Sequence, residues 1–146
     1  MITYIDTSVL LKLLVDDEAG RDAAQRLWLE SDFVVCAEIG YAEARAALAA
    51  AHRAGRLNAA GLSIAKNELN ALWAQVDVVP VTTALVLAAG DLAEAEGLRG
   101  YDAVHLAAAL TGLATVVATA DNQLLAAARR NQLDVSNPLD PKTTPD

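Results

Sequence analysis

Four carboxylates in this 146-residue chain, Asp6, Glu43, Asp102 and Asp121, stand where an acid has both a structural and a chemical use. Asp6 follows the β-prone run Ile2–Ile5 and precedes Thr7, Ser8 and a Leu-rich segment, the pattern of a strand, a sharp turn and a helix. Asp121 stands in the same way after Thr115–Ala118. Each either caps the helix behind it or lies at the carboxyl end of a parallel strand, where open α/β sheets bind ligands. Asp102 falls in the first turn of a helix after Gly100, where the macrodipole favours an anion, yet it shares a stripe with Leu106 and Ala109. Glu43 aligns with Ile39, Ala46, Ala47 and Ala50, and has no basic residue three or four positions on. In so Ala-rich a helix, Glu38 is the alternative inward acid.

Carboxylates brought within a few ångströms repel by about 4 kcal/mol per close pair at an effective dielectric near 20, so such a cluster needs a cation. Oxygen ligands without thiolate or imidazole select a hard dication, Mg²⁺ or Mn²⁺, with Asp6, Asp102 and Asp121 as the ligands and Glu43 beside them. Such an ion acidifies water and stabilises charge growing on a phosphodiester. The hydroxyls of Ser8 and Thr119 are supporting candidates to orient a water or a ligand carboxylate. His105 lies one turn from Asp102 and has no His or Cys partner at ligand spacing, which makes it a hydrogen-bonding residue rather than a metal ligand.

The elements that must position these groups alternate. Strands are predicted at 2–5, 33–36, 76–81, 115–118 and 133–135, and helices after Asp6 and over about 19–30, 38–53, 58–75, 82–96, 101–110 and 121–130. Pro80 marks an edge position or a strand end. The pattern specifies α/β, a central mainly parallel sheet of four to five strands flanked by about seven helices. Residues 1–136 form one domain, and 137–146, with three of the four prolines, read as an extended or disordered tail. Cys36, the single cysteine, lies in an apolar run and excludes a disulfide framework. No signal peptide and no run of about 18 apolar residues is present, so the expected location is cytoplasmic, away from the membrane.

A formal charge of −8 opposes attraction to nucleic acid by a broad positive surface, so a polyanionic substrate requires local help, which a bound dication provides. Arg53, Arg56, Arg99, Arg129 and Arg130 are the candidate phosphate contacts, and six aromatic residues offer little base stacking. An aspartyl phosphotransfer enzyme is the rival chemistry. The Asp-x-Asp pattern fails at Ser8, and the only late lysine, Lys142, lies in the tail.

Four segments together, Ile5-Asp6-Thr7-Ser8-Val9-Leu10, Tyr41-Ala42-Glu43-Ala44-Arg45, Leu98-Arg99-Gly100-Tyr101-Asp102-Ala103-Val104-His105-Leu106-Ala107 and Ala118-Thr119-Ala120-Asp121-Asn122-Gln123-Leu124, resemble the PIN-domain ribonucleases, and among them the VapC toxins of type II toxin–antitoxin modules. The resemblance implies a three-layer α/β/α fold and Mg²⁺- or Mn²⁺-dependent endonucleolytic cleavage of structured RNA (tRNA, rRNA or mRNA). It also implies a homodimer and a cognate antitoxin. Asp6, Glu43, Asp102 and Asp121 fall on the family's acidic positions, and the hairpin His52–Asn58 on a region such toxins use for antitoxin contact. A catalytically inactive binding protein of the same fold and a housekeeping RNA-processing nuclease without antitoxin are the alternatives.

Overall fold

The computed structural model describes residues 1–143. Five parallel strands, β1 (Ile2–Ile5), β2 (Phe33–Ala37), β3 (Asp77–Val79), β4 (Val116–Ala118) and β5 (Asp134–Ser136), form one sheet in the order β3-β2-β1-β4-β5. Tyr4 stands level with Val35 on one side and Val117 on the other. The chain builds outward from β1 to β3, then crosses back to lay β4 on the free edge of β1. The reversal leaves a crevice beyond the carboxyl ends of β1 and β4, the place where such sheets take ligands.

Among the described residues seven α-helices cover the two faces: α1 (Thr7–Leu14), α2 (Arg21–Glu30), α3 (Ile39–Arg53), α4 (Ala59–Trp73), α5 (Thr83–Glu96), α6 (Gly100–Thr111) and α7 (Asn122–Arg130). Alternation along the strands divides the core in two. Ile5, Val34, Cys36 and Ala118 pack against Val9, Leu10, Leu27, Leu48 and Leu69 of α1–α4. Tyr4, Val35, Val79 and Val117 pack against Leu85, Leu106, Leu124 and Leu125 of α5–α7. Each large aliphatic side chain fully withdrawn from water contributes about 1.5–3 kcal/mol, which makes both layers necessary to a sheet buried on both faces.

Local signals set the boundaries. Asn58 accepts from the Gly61 amide and Thr82 from that of Leu85, opening α4 and α5. Gly97, in the left-handed region at φ 64°, closes α5. The second helix begins at Arg21 rather than near Ala19, because Gly20 turns the chain at φ 83°. Pro80 lies just past β3, which is an edge strand and ends at Val79. The described part of the tail differs from an extended run. Asn137 bridges Asp140 and the Asn137 amide is held by the Thr143 hydroxyl at 2.8 Å, ahead of a short 3-10 turn over Pro141–Thr143. Residues 144–146 of the expected tail lie outside the described residues.

Candidate active site

The turn after β1 and the turn after β4 are laced together by two hydroxyls. Asp6 caps α1 with Oδ1, which accepts from the Ser8 amide at 3.0 Å and the Val9 amide at 3.4 Å, and also from Ser8 Oγ at 2.6 Å. Its Oδ2 accepts from Thr119 Oγ1 across the crevice at 2.5 Å. The amide of Ala120 donates to Ser8 Oγ at 3.0 Å and that of Asp121 donates to Thr119 Oγ1 at 3.0 Å. Asp121 repeats the device on α7. Its Oδ1 takes the Gln123 and Leu124 amides at 2.8 and 3.3 Å, which leaves Oδ2 to the site. Capping and a place in the site are therefore not alternatives, since each carboxylate has two oxygens and uses them for different tasks.

Glu43 comes from the α1–α4 layer and meets the opposite layer over the rim of the sheet. Its Oε1 accepts from Thr7 Oγ1 at 3.2 Å and lies 2.7 Å from His105 Nε2. Behind His105, Nδ1 is 2.5 Å from the hydroxyl of Tyr4, whose oxygen accepts from the Ala37 amide at 3.2 Å. An ionised carboxylate can only accept, so the bond to Glu43 places a proton on Nε2, and the Nε2–H tautomer in turn leaves Nδ1 to accept from the Tyr4 hydroxyl. Glu38, the other inward candidate, is exposed and accepts from the Val81 amide instead.

Asp102 and Asp121 converge on one guanidinium. Arg99 Nε donates to Asp102 Oδ2 at 3.2 Å and Nη2 lies 3.5 Å from Asp121 Oδ2. A cleft of about 760 Å³ opens beside them, lined by Glu43, Arg99, Tyr101 and Asp102 and walled by Val86, Ala89 and Gly90 of α5. The electrostatics differ from acid to acid. Burial pushes the Asp6 carboxyl above its ordinary value although Ser8 and Thr119 pull it down. Glu43, half-buried, is raised by desolvation but more than compensated by the hydrogen bonds it accepts from His105 and Thr7, so its carboxyl titrates below the usual value.

An all-oxygen set in which one buried carboxylate, Asp6, makes no ion pair among the described residues, and two others already gather a cation, has the chemistry of a hard-dication site. Among the described residues, no three His, Cys, Asp or Glu side chains form a ready-made ligand group as they stand. The oxygens that Asp102 and Asp121 would offer are turned onto Arg99.

The other predicted phosphate contacts do not gather here. Helices that follow parallel strands start at the carboxyl rim and run back, so Arg53, Arg129 and Arg130 end at the far rim. Arg56 pairs with Asp17 and Glu18, and Arg130 with Glu96. Sequence reasoning missed Tyr4 and Thr7. The available signal for Tyr4 was its hydroxyl in an apolar strand two residues before Asp6; for Thr7 it was a second hydroxyl in the same turn. Cys36 is fully buried and its thiol is pushed up by desolvation, which leaves it no part in chemistry.

A family model described as PIN domain matches residues 3–130. Over 109 residues the chain is 41% identical to a protein named Ribonuclease VapC45 from Mycobacterium tuberculosis (strain CDC 1551 / Oshkosh), a match covering 75% of each chain. Among solved structures it is similar to FitAcB from Neisseria gonorrhoeae, with a TM-score of 0.70 at 23% identity over 94% of this chain and 98% of that one. It is also similar to Mycobacterium tuberculosis VapC20, described as a Sarcin-Ricin loop cleaving toxin, with a TM-score of 0.67 at 21% identity over 86% and 94% of the two chains. Both structural likenesses carry the α/β/α fold.

Proposed function

This chain belongs to the PIN-domain family, and from that premise we propose that it is a metal-dependent endoribonuclease, the toxin of a VapC-type toxin–antitoxin pair. The observation that supports this best is the set of links at the switch point of the sheet: Thr119 joins Asp6 Oδ2 to the Asp121 amide, Arg99 spans Asp102 and Asp121, and Thr7, next to Asp6, joins His105 in holding Glu43. Mg²⁺, with Mn²⁺ as substitute, would be held by Asp6, Asp102 and Asp121, and when bound it supplies positive charge against a phosphodiester and acidity to a nearby water.

The chain's own residues do the rest. Ser8 and Thr119 fix the rotamer of Asp6, so a ligand carboxylate is oriented before anything binds. His105 and Thr7 occupy Oε1 of Glu43, which leaves Oε2 to receive a proton from the attacking water. Glu43, whose carboxyl titrates below its already acidic ordinary value, is ionised at neutral pH as that role requires. The cleft beside Asp102 and Tyr101 is open to a strand of RNA. Among the described residues, no helix is long and apolar enough to cross a membrane. A cytoplasmic location, a homodimer and a cognate antitoxin touching the hairpin His52–Asn58 belong to the same reading.

Labelled structured RNA incubated with the purified protein in Mg²⁺ or in EDTA tests the proposal. Cleavage with Mg²⁺ alone, abolished by Asp6→Asn, is the expected result; asparagine keeps the helix cap, so the fold survives. Cleavage that persists in Asp6→Asn overturns the assignment. Its absence at every metal concentration favours the inactive binding protein instead.

A further inference from the structure

Arg99 is the one arginine that reaches the carboxylates of the proposed site among those whose ion pairs are described. Its guanidinium spans two separate elements, taking Asp102 from the first turn of α6 and Asp121 from the cap of α7. Both contacts use Oδ2. For Asp121 this is the only oxygen that remains, because Oδ1 is spent on two amides of α7.

The helix start does not account for the position of Arg99. It is the N-cap residue of α6, where the positive end of the helix disfavours a cation, and it makes no side-chain cap. Its side chain is 77% exposed, whereas that of Asp102 is 14% exposed. Among the described residues this long exposed side chain bonds to two carboxylates, so it is their charge that holds it.

We propose that Arg99 is a built-in counter-cation that holds Asp102 and Asp121 until the divalent ion displaces it. The proposal rests on the metal-dependent reading above. In the metal-free protein the guanidinium offsets the repulsion between two acids that face each other. On loading, the same two oxygens turn to the ion and the guanidinium swings clear on its exposed stem. Arg99 is thus a positioning residue for the ligands and a competitor for the ion that they bind. A planar fork with donors on Nε and Nη2 can reach two acceptors at once, which a lysine ammonium does less well.

The test is Mn²⁺ titration of the intact protein followed by electron paramagnetic resonance of free Mn²⁺, on wild type, Arg99→Gln, Arg99→Lys and Arg130→Gln. Thermal melting confirms that each is folded. Removing the competitor should tighten Mn²⁺ binding on the order of fivefold in Arg99→Gln, the combined strength of two exposed ion pairs. Arg99→Lys should fall between wild type and Arg99→Gln, and Arg130→Gln, whose partner Glu96 lies away from the site, should match wild type. A residue that merely braced the acids would give the opposite sign, with weaker binding once it is removed. Equal or weaker affinity in Arg99→Gln overturns this proposal and leaves the metal reading standing. Failure of every variant to bind Mn²⁺ overturns both.

Discussion

Replacing Tyr4 by Phe removes one oxygen atom from the centre of the molecule and breaks two hydrogen bonds at once. Tyr4 is fully buried, as is Ala37, and His105 is 4% exposed, so water cannot repair the loss. The amide of Ala37 and Nδ1 of His105 both lose their partner. Each buried group left unsatisfied costs about 1–3 kcal/mol, and because the two share one neighbour the sum falls at about 2–5 kcal/mol. For a chain of this size that corresponds to a fall in Tm of about 5–15 °C. Urea unfolding monitored by circular dichroism and by tryptophan fluorescence measures the change and checks that the transition is two-state. Tyr101→Phe is the control, because that side chain is exposed and should cost less than about 0.5 kcal/mol. The ¹⁵N shifts of the imidazole give an independent reading, with the proton on Nε2 in both proteins because Glu43 still accepts it, and the Nδ1 resonance moving in Tyr4→Phe as its hydrogen bond is lost. A destabilisation below about 0.5 kcal/mol, or a wild-type proton found on Nδ1, would refute the chain of bonds from Tyr4 through His105 to Glu43.

Three further outcomes follow from particular contacts. A Cβ placed on Gly40 would meet Cys36 Sγ at 2.5 Å, so Gly40→Ala should push α3 off β2 and cost about 1–3 kcal/mol in urea unfolding; cleavage should weaken too, because Glu43 rides one turn further along α3. Cys36, buried and with its thiol pushed above the ordinary value by desolvation, should resist a thiol-reactive disulfide reagent at pH 8 in the native state and react on unfolding; rapid native labelling would contradict its placement. Mn²⁺ at about 100 times its Kd should stabilise the wild type by about 2.7 kcal/mol in the same unfolding assay, and Asp6→Asn by far less. Equal stabilisation of the two would place the ion away from Asp6.

Much of the fold was legible in the chain because its signals are local. Alternating strand and helix patterns, Gly97 at the end of α5, and Pro80 at the end of an edge strand each act within a few residues, and they fixed element type and order. The elements holding the four acids were legible for the same reason. What a carboxylate does once it is there was not. Asp6 and Asp121 read equally as caps and as site residues, and only the meeting of two turns more than a hundred residues apart shows that each oxygen has its own task. The partners of Glu43 and the clamp of Arg99 were hidden likewise. Tyr4, Thr7, Glu43, His105 and Asp121 come from different strands and helices, and no periodicity within one element reports a distance between two. Sequence determined that acids would stand at the carboxyl ends of strands and the starts of helices, since backbone propensity and capping act over a turn or two. The tertiary structure decided which of their oxygens remain free and which cation they hold, because that depends on how two helical layers close over one sheet.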